Sequence, residues 1–130
     1  MIEQSEKGNL KSMQIKTYRD LLVWQKSMAL VTEVYKLSKL FPNEEVYGLT
    51  SQMRRCAVSI PSNIAEGYGR NSTSDYVRFL RVASASLYEL QTQAEIALNL
   101  RYLKKSDFDN LYESSREIER MLSSLVRKLK

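Results

Sequence analysis

Five arginines and one basic corner are the side chains of this sequence whose types and spacing could do chemistry. Arg54 and Arg55 stand side by side, Arg70, Arg78 and Arg81 follow in close order, and Arg101-Tyr102-Leu103-Lys104-Lys105 joins cations to an aromatic ring. The chemistry they suit is recognition of nucleic acid. Guanidinium and ammonium groups hold phosphate oxygens, and a tyrosine ring or an arginine plane stacks on an unpaired base. The plainer reading is a solvated surface whose charges pair along helices, with Arg116 and Arg120 beside Glu113 and Glu117. Positive charge is nonetheless unevenly placed. Residues 101–130 carry eight Lys or Arg against five Asp or Glu, net +3, whereas residues 74–100 are net −1.

Groups for catalysis are scarce. There is no histidine, which removes the commonest general base and metal ligand. It also removes the Glu-x-x-His pairs of di-iron bundles. Gly67-Tyr68-Gly69 lacks the Lys-Ser/Thr of a phosphate loop. No catalytic residue, cofactor or metal is expected, and the chain reads as a non-enzyme. Cys56 is the single cysteine, so no disulfide forms within the chain and a reducing, cytoplasmic setting is expected. Its place on an apolar stripe marks it as a small buried hydrophobe. The sharper reading, a thiolate promoted by Arg54 and Arg55, lacks a base and a resolving cysteine.

The elements that must position these groups are helices. The 130 residues, 43% hydrophobic and 27% charged with net charge +5, suffice for one core. Four glycines and two prolines are too few for a strand-and-turn fold. No stretch reaches the roughly 18 apolar residues of a membrane span, and residues 1–16 show neither a secretory signal nor a period. They read as a flexible leader, with Met13 and Ile15 as docking points, before a domain over 17–130. Thr17 and Asp20, Ser72 and Asp75, and Ser106 and Asp109 each have capping-box spacing.

Four helices follow. The first spans about Tyr18 to Leu40, with Trp24, Met28, Val31, Val34, Tyr35 and Phe41 as its stripe and Pro42 as its stop. Leu21, Leu22, Val23, Leu30 and Leu37 add apolar surface beyond that stripe, as a helix with two sets of neighbours requires. The second carries Leu49, Met53, Cys56, Ala57, Ile60 and Ile64 in one register through Pro61, which implies a kink rather than a break. The third runs from about Ser74 to Leu100 on Tyr76, Phe79, Leu80, Ala83, Leu87, Leu90, Ala94 and Ala97, with the small run Ala83-Ser84-Ala85-Ser86 inviting close approach. The fourth alternates spacings of three and four over Phe108, Leu111, Ser115, Ile118, Leu122, Leu125 and Leu129. Short connections then imply an antiparallel, up-down-up-down four-helix bundle. Trp24, Met28, Phe79, Leu80, Leu87, Leu90, Ile118, Leu122 and Leu125 are expected to be buried.

The segment holding Ser59, Pro61, Ser62, Asn63, Glu66 and Gly67 is too polar for the middle of a core. A structural role is favoured over a recognition surface. Ser62 or Asn63 would satisfy the carbonyl freed by Pro61, and Glu66 would meet Arg54, Arg55 or Arg70.

Three runs carry a resemblance: Tyr18-Arg19-Asp20-Leu21-Leu22-Val23-Trp24-Gln25-Lys26, Tyr47-Gly48-Leu49-Thr50-Ser51-Gln52-Met53-Arg54-Arg55, and Ser59-Ile60-Pro61-Ser62-Asn63-Ile64-Ala65-Glu66-Gly67-Tyr68-Gly69-Arg70. With Phe79-Leu80 and Ser86-Leu87-Tyr88-Glu89-Leu90 they resemble the four-helix-bundle family named for intervening sequences of 23S ribosomal RNA, over about Thr17 to Leu129. The resemblance implies a bacterial homopentamer, with no catalytic residue to transfer. It is also similar in fold to the accessory bundles of diversity-generating retroelements, which implies RNA or DNA and a reverse transcriptase as partners. The expectation is an oligomeric nucleic-acid-binding scaffold, RNA before DNA, using Arg54, Arg55, Arg70, Arg78 and Arg81 first and Arg101, Tyr102, Lys104 and Lys105 second. The alternative is an adaptor that docks a reverse transcriptase or polymerase without touching nucleic acid.

Overall fold

The seam of the last helix folds as its spacing requires. In the computed structural model, which describes residues 14–130, Phe108, Leu111, Ser115, Ile118, Leu122 and Leu125 all face inward. Among the described residues there are four α-helices and no strand: α1 (Leu22–Ser38), α2 (Leu49–Tyr68), α3 (Thr73–Asn99) and α4 (Lys105–Leu129). Each packs on its neighbours in the chain, α1 and α4 close the circuit, and the diagonal pairs do not meet. This is a four-helix bundle, and the expected all-α fold stands. Along α2 and α3 the contacts run in opposite senses, from Gly67 against Tyr76 and Phe79 to Cys56 and Ser59 against Ser86.

The α2–α3 contact is the most extensive, and small residues are the reason. A Cβ on Gly67 would lie 2.8 Å from the Cβ of Phe79 and 3.1 Å from the Tyr76 ring. Further along, the Cys56 thiol donates to the Ser86 carbonyl at 2.9 Å, and the Ser59 and Ser86 hydroxyls are 2.9 Å apart. Ala57 and Ala83 are fully buried. The small run in α3 therefore admits α2 as its composition suggested. α2 continues through Pro61 without a break.

Leu80, Leu87, Leu90, Ile118, Leu122 and Leu125 are buried as expected, while Trp24 and Phe79 are half-buried. Met28 corrects the list, at 43% exposed. The inward face of α1 is Val23, Ser27, Leu30, Val34, Leu37 and Ser38, not the stripe through Trp24 and Met28. Two serines disguise it. Ser27 donates to the Val23 carbonyl at 2.8 Å, so its hydroxyl is satisfied within the helix and tolerates burial.

The start of α1 is also shorter than expected. Tyr18–Asp20 forms a separate 3-10 turn, and extended Leu21 precedes α1. Thr17 and Asp20 make a full capping box on that turn. Asp20 accepts from the N–H groups of Lys16 and Thr17, which hold its carboxyl below the usual carboxylate range. Ser72 caps α3 by accepting from the Asp75 N–H at 3.1 Å. The third expected cap is corrected: α4 begins at Lys105, so Ser106 lies inside it and Asp109 pairs with Lys105 at 2.7 Å. Ile15 packs against the core, and Met13 lies outside the described residues. No helix among the described residues is long and apolar enough to cross a membrane.

Candidate nucleic-acid interface

The arginines singled out above do not form one surface. Arg54 serves the fold: its Nε donates to the Ser38 hydroxyl at 2.8 Å, its Nη2 to the Tyr35 carbonyl at 3.3 Å, and its guanidinium lies 4.6 Å from the centre of the Tyr35 ring. A cation at the carbonyl end of α1 also complements the helix dipole. Arg55 is exposed and reaches Ser51 within its own helix. Neither meets Glu66, which pairs instead with Arg70 at 3.6 Å. Arg70 and Arg78 both lie on the Phe79 ring, 4.6 and 4.7 Å from its centre, and Arg78 also pairs with Asp75. Exposed pairs of this kind contribute little to stability.

The second cluster is divided too. The Tyr102 hydroxyl donates to Glu45 Oε2 at 2.9 Å, and its ring packs 5.4 Å from that of Phe41. Both its ring and its hydroxyl are thus engaged within the fold, and the side chain is half-buried. Lys105 pairs with Asp109. Arg101 and Lys104 are exposed. Arg101 has φ 65°, the left-handed conformation that normally selects glycine.

The polar segment of α2 resolves into two faces. Ser59 and Gly67 face α3, and Asn63 donates to the Ser59 carbonyl at 2.8 Å and to its hydroxyl at 3.0 Å. Ser62 donates to the Val58 carbonyl, so neither it nor Asn63 reaches the Ala57 carbonyl freed by Pro61. On the other face, Val58, Pro61 and Ala65 join Trp24, Met28 and Val31 of α1 in an open, apolar groove of about 370 Å³. Cys56 is buried, and that burial, followed by the charge of Glu89, pushes its thiol up to about 12. The thiolate reading therefore falls. Among the described residues, no three Cys, Asp or Glu groups gather where they could hold a metal ion.

One groove does converge on cations. Between the first half of α3 and the end of α4, Arg81, Arg127 and Lys130 line an open cleft of about 460 Å³ with Tyr88, Ser84 and Ser123. No Asp or Glu side chain lines it. No salt bridge to these three cations occurs among the described residues. Of the three, only Arg81 belonged to the expected set. Arg127 and Lys130 lie outside it, at the end of α4. The signal that finds them is the pairing of the helices: Gln91 donates to Ser115 at 3.0 Å, and residues 81–88, earlier in α3, lie near residues 123–130, later in α4.

A model of the 23S rRNA-intervening sequence protein family matches residues 19–124. The chain belongs to that family. The resemblance to that family carried by the runs in α1, α2 and α3 is thereby established. The fold is similar to a crystal structure from Bacteroides thetaiotaomicron described as a protein of unknown function from the S23 ribosomal protein family. The two are 24% identical with a TM-score of 0.76, over 81% of this chain and 98% of that one. At that identity the likeness shows the fold alone. A comparison with curated proteins finds no match.

Proposed function

We propose that this family member is a non-enzymatic, cytoplasmic, self-associating scaffold that binds nucleic acid, RNA before DNA. The observation that carries the reading is the α3–α4 groove, which Arg81, Arg127 and Lys130 line with no Asp or Glu side chain among its lining residues. Phosphate contacts neutralise cations and release counterions, so unpaired cations gathered in one cleft are what such a ligand needs. Net charge +5 adds steering. A homopentamer, which the family resemblance implies, would multiply that charge fivefold.

The apolar groove of Trp24, Met28, Val31, Val58, Pro61 and Ala65 supports self-association, because exposed apolar surface of this kind gains by being covered. It equally supports the second reading, an adaptor that docks a reverse transcriptase or polymerase. Two measurements test the proposal. Light scattering at micromolar concentration should give a multiple of 15.1 kDa; a monomer mass refutes self-association. Binding of the wild type to single-stranded RNA should weaken steeply between about 50 and 200 mM salt; no binding at the lower salt moves the adaptor reading to first place.

A further inference from the structure

We infer that the α3–α4 groove takes an unpaired nucleotide of a single RNA strand, its base stacked on Tyr88 and its neighbouring phosphates held by Arg81, Arg127 and Lys130. This rests on the reading of the groove as the nucleic-acid site and adds the form of the strand it accepts.

Tyr88 is the aromatic side chain of the groove and is 51% exposed. Six other tyrosines have their rings engaged, Tyr18 with Trp24, Tyr35 beneath Arg54, Tyr68 with Tyr76, Tyr102 with Phe41 and Tyr112 with Phe108, while Tyr47 is 95% exposed but lies outside the groove. The Tyr88 ring takes part in none of these contacts. What holds it is its hydroxyl, which makes a long 3.5 Å hydrogen bond to Glu119 Oε2. Glu119 is in turn fixed by Gln91, which donates to Oε1 at 3.2 Å, and by Arg116 at 3.4 Å. Arg116 counters the carboxylate charge near the groove.

The cleft suits one base and not a duplex. Inside a duplex every base is stacked on its neighbours, and a side chain reaches only phosphates, sugars and base edges. An unpaired base offers its face, and a tyrosine beside cations is how single strands are held without regard to sequence. Ser84 and Ser123 bring a hydroxyl from each wall, able to donate to or accept from a ribose 2′-hydroxyl.

The test is fluorescence anisotropy on the full chain with two labelled RNAs, an oligouridylate of about 12 nucleotides and a blunt duplex of the same length. Uridines stack weakly on one another, so their faces are free. Tyr88→Ala should weaken oligouridylate binding roughly five- to a hundredfold while leaving duplex binding and helical circular dichroism unchanged. Tyr88→Phe, which keeps the ring, should retain most of the affinity. Wild-type affinity of Tyr88→Ala for the oligouridylate, or an equal loss in Tyr88→Phe, overturns the stacking inference and leaves phosphate binding standing. Failure of the wild type to bind either RNA overturns the groove as a nucleic-acid site, and this inference with it.

Discussion

The hydroxyl of Tyr102 donates to Glu45 Oε2 at 2.9 Å across 57 residues of chain, while Oε1 of the same carboxylate accepts the Leu49 N–H at 3.0 Å. One side chain thereby caps α2 and ties the connection before it to the connection between α3 and α4. The Leu49 N–H, then the Tyr102 hydroxyl, hold the Glu45 carboxyl below the usual carboxylate range. The Tyr102 phenol is correspondingly raised, by that hydrogen bond first.

A depressed carboxylate fixes the sign of a pH effect. Its contribution is present above the unfolded-state pKa and is lost as pH falls through the folded one. Glu45→Gln should therefore melt below the wild type at neutral pH, and the gap should close as acid protonates the wild-type carboxylate. Melting curves across that range check this; a gap that stays constant contradicts it.

Leu122 is fully buried in the α4 seam. Leu122→Ala should cost roughly 2–5 kcal/mol through lost burial and a residual cavity. Denaturant melts measure it, and a change near zero refutes the seam.

At Gly67 two effects oppose each other. Alanine is the better helix former by about 1 kcal/mol, yet its Cβ would fall 2.8 Å from the Phe79 Cβ and 3.2 Å from the Tyr76 carbonyl oxygen. Overpacking of this kind costs roughly 1–3 kcal/mol, so Gly67→Ala should destabilise on balance. A more stable variant would show that α2 and α3 can separate freely there.

Arg101 ends α3 in the left-handed conformation. Its N–H donates to the Leu98 carbonyl at 3.0 Å and the Tyr102 N–H to the Ala97 carbonyl at 2.8 Å, the paired bonds of a Schellman ending. Arg101→Gly should stabilise the chain by about 1 kcal/mol by relieving the Cβ clash. Chemical denaturation decides it, and a loss of stability contradicts the account.

How much of this could be read beforehand follows from where each signal lies. The α4 seam was legible because its spacing is unbroken, and Ser115 fits it by accepting from Gln91 and donating to the Tyr112 carbonyl. The inward face of α1 was not, because Ser27 and Ser38 look polar in a list of residues and become apolar in effect once hydrogen-bonded. Arg54 looked free for a ligand because its partner Ser38 lies on another helix. Tyr102 looked free because its partners, Phe41 and Glu45, lie in the distant connection between α1 and α2. The groove needed the pairing of α3 with α4, which no single-helix pattern contains.

Phosphates bound in the α3–α4 groove would be held by Arg81, Arg127 and Lys130. The most direct test compares the wild type with the triple Ala variant in binding single-stranded RNA as salt is varied. Each lost phosphate contact should flatten the plot of log affinity against log salt by about 0.7. The account predicts a slope flatter by about 2 in the triple variant, with helical content unchanged. An unchanged slope at undiminished affinity contradicts it.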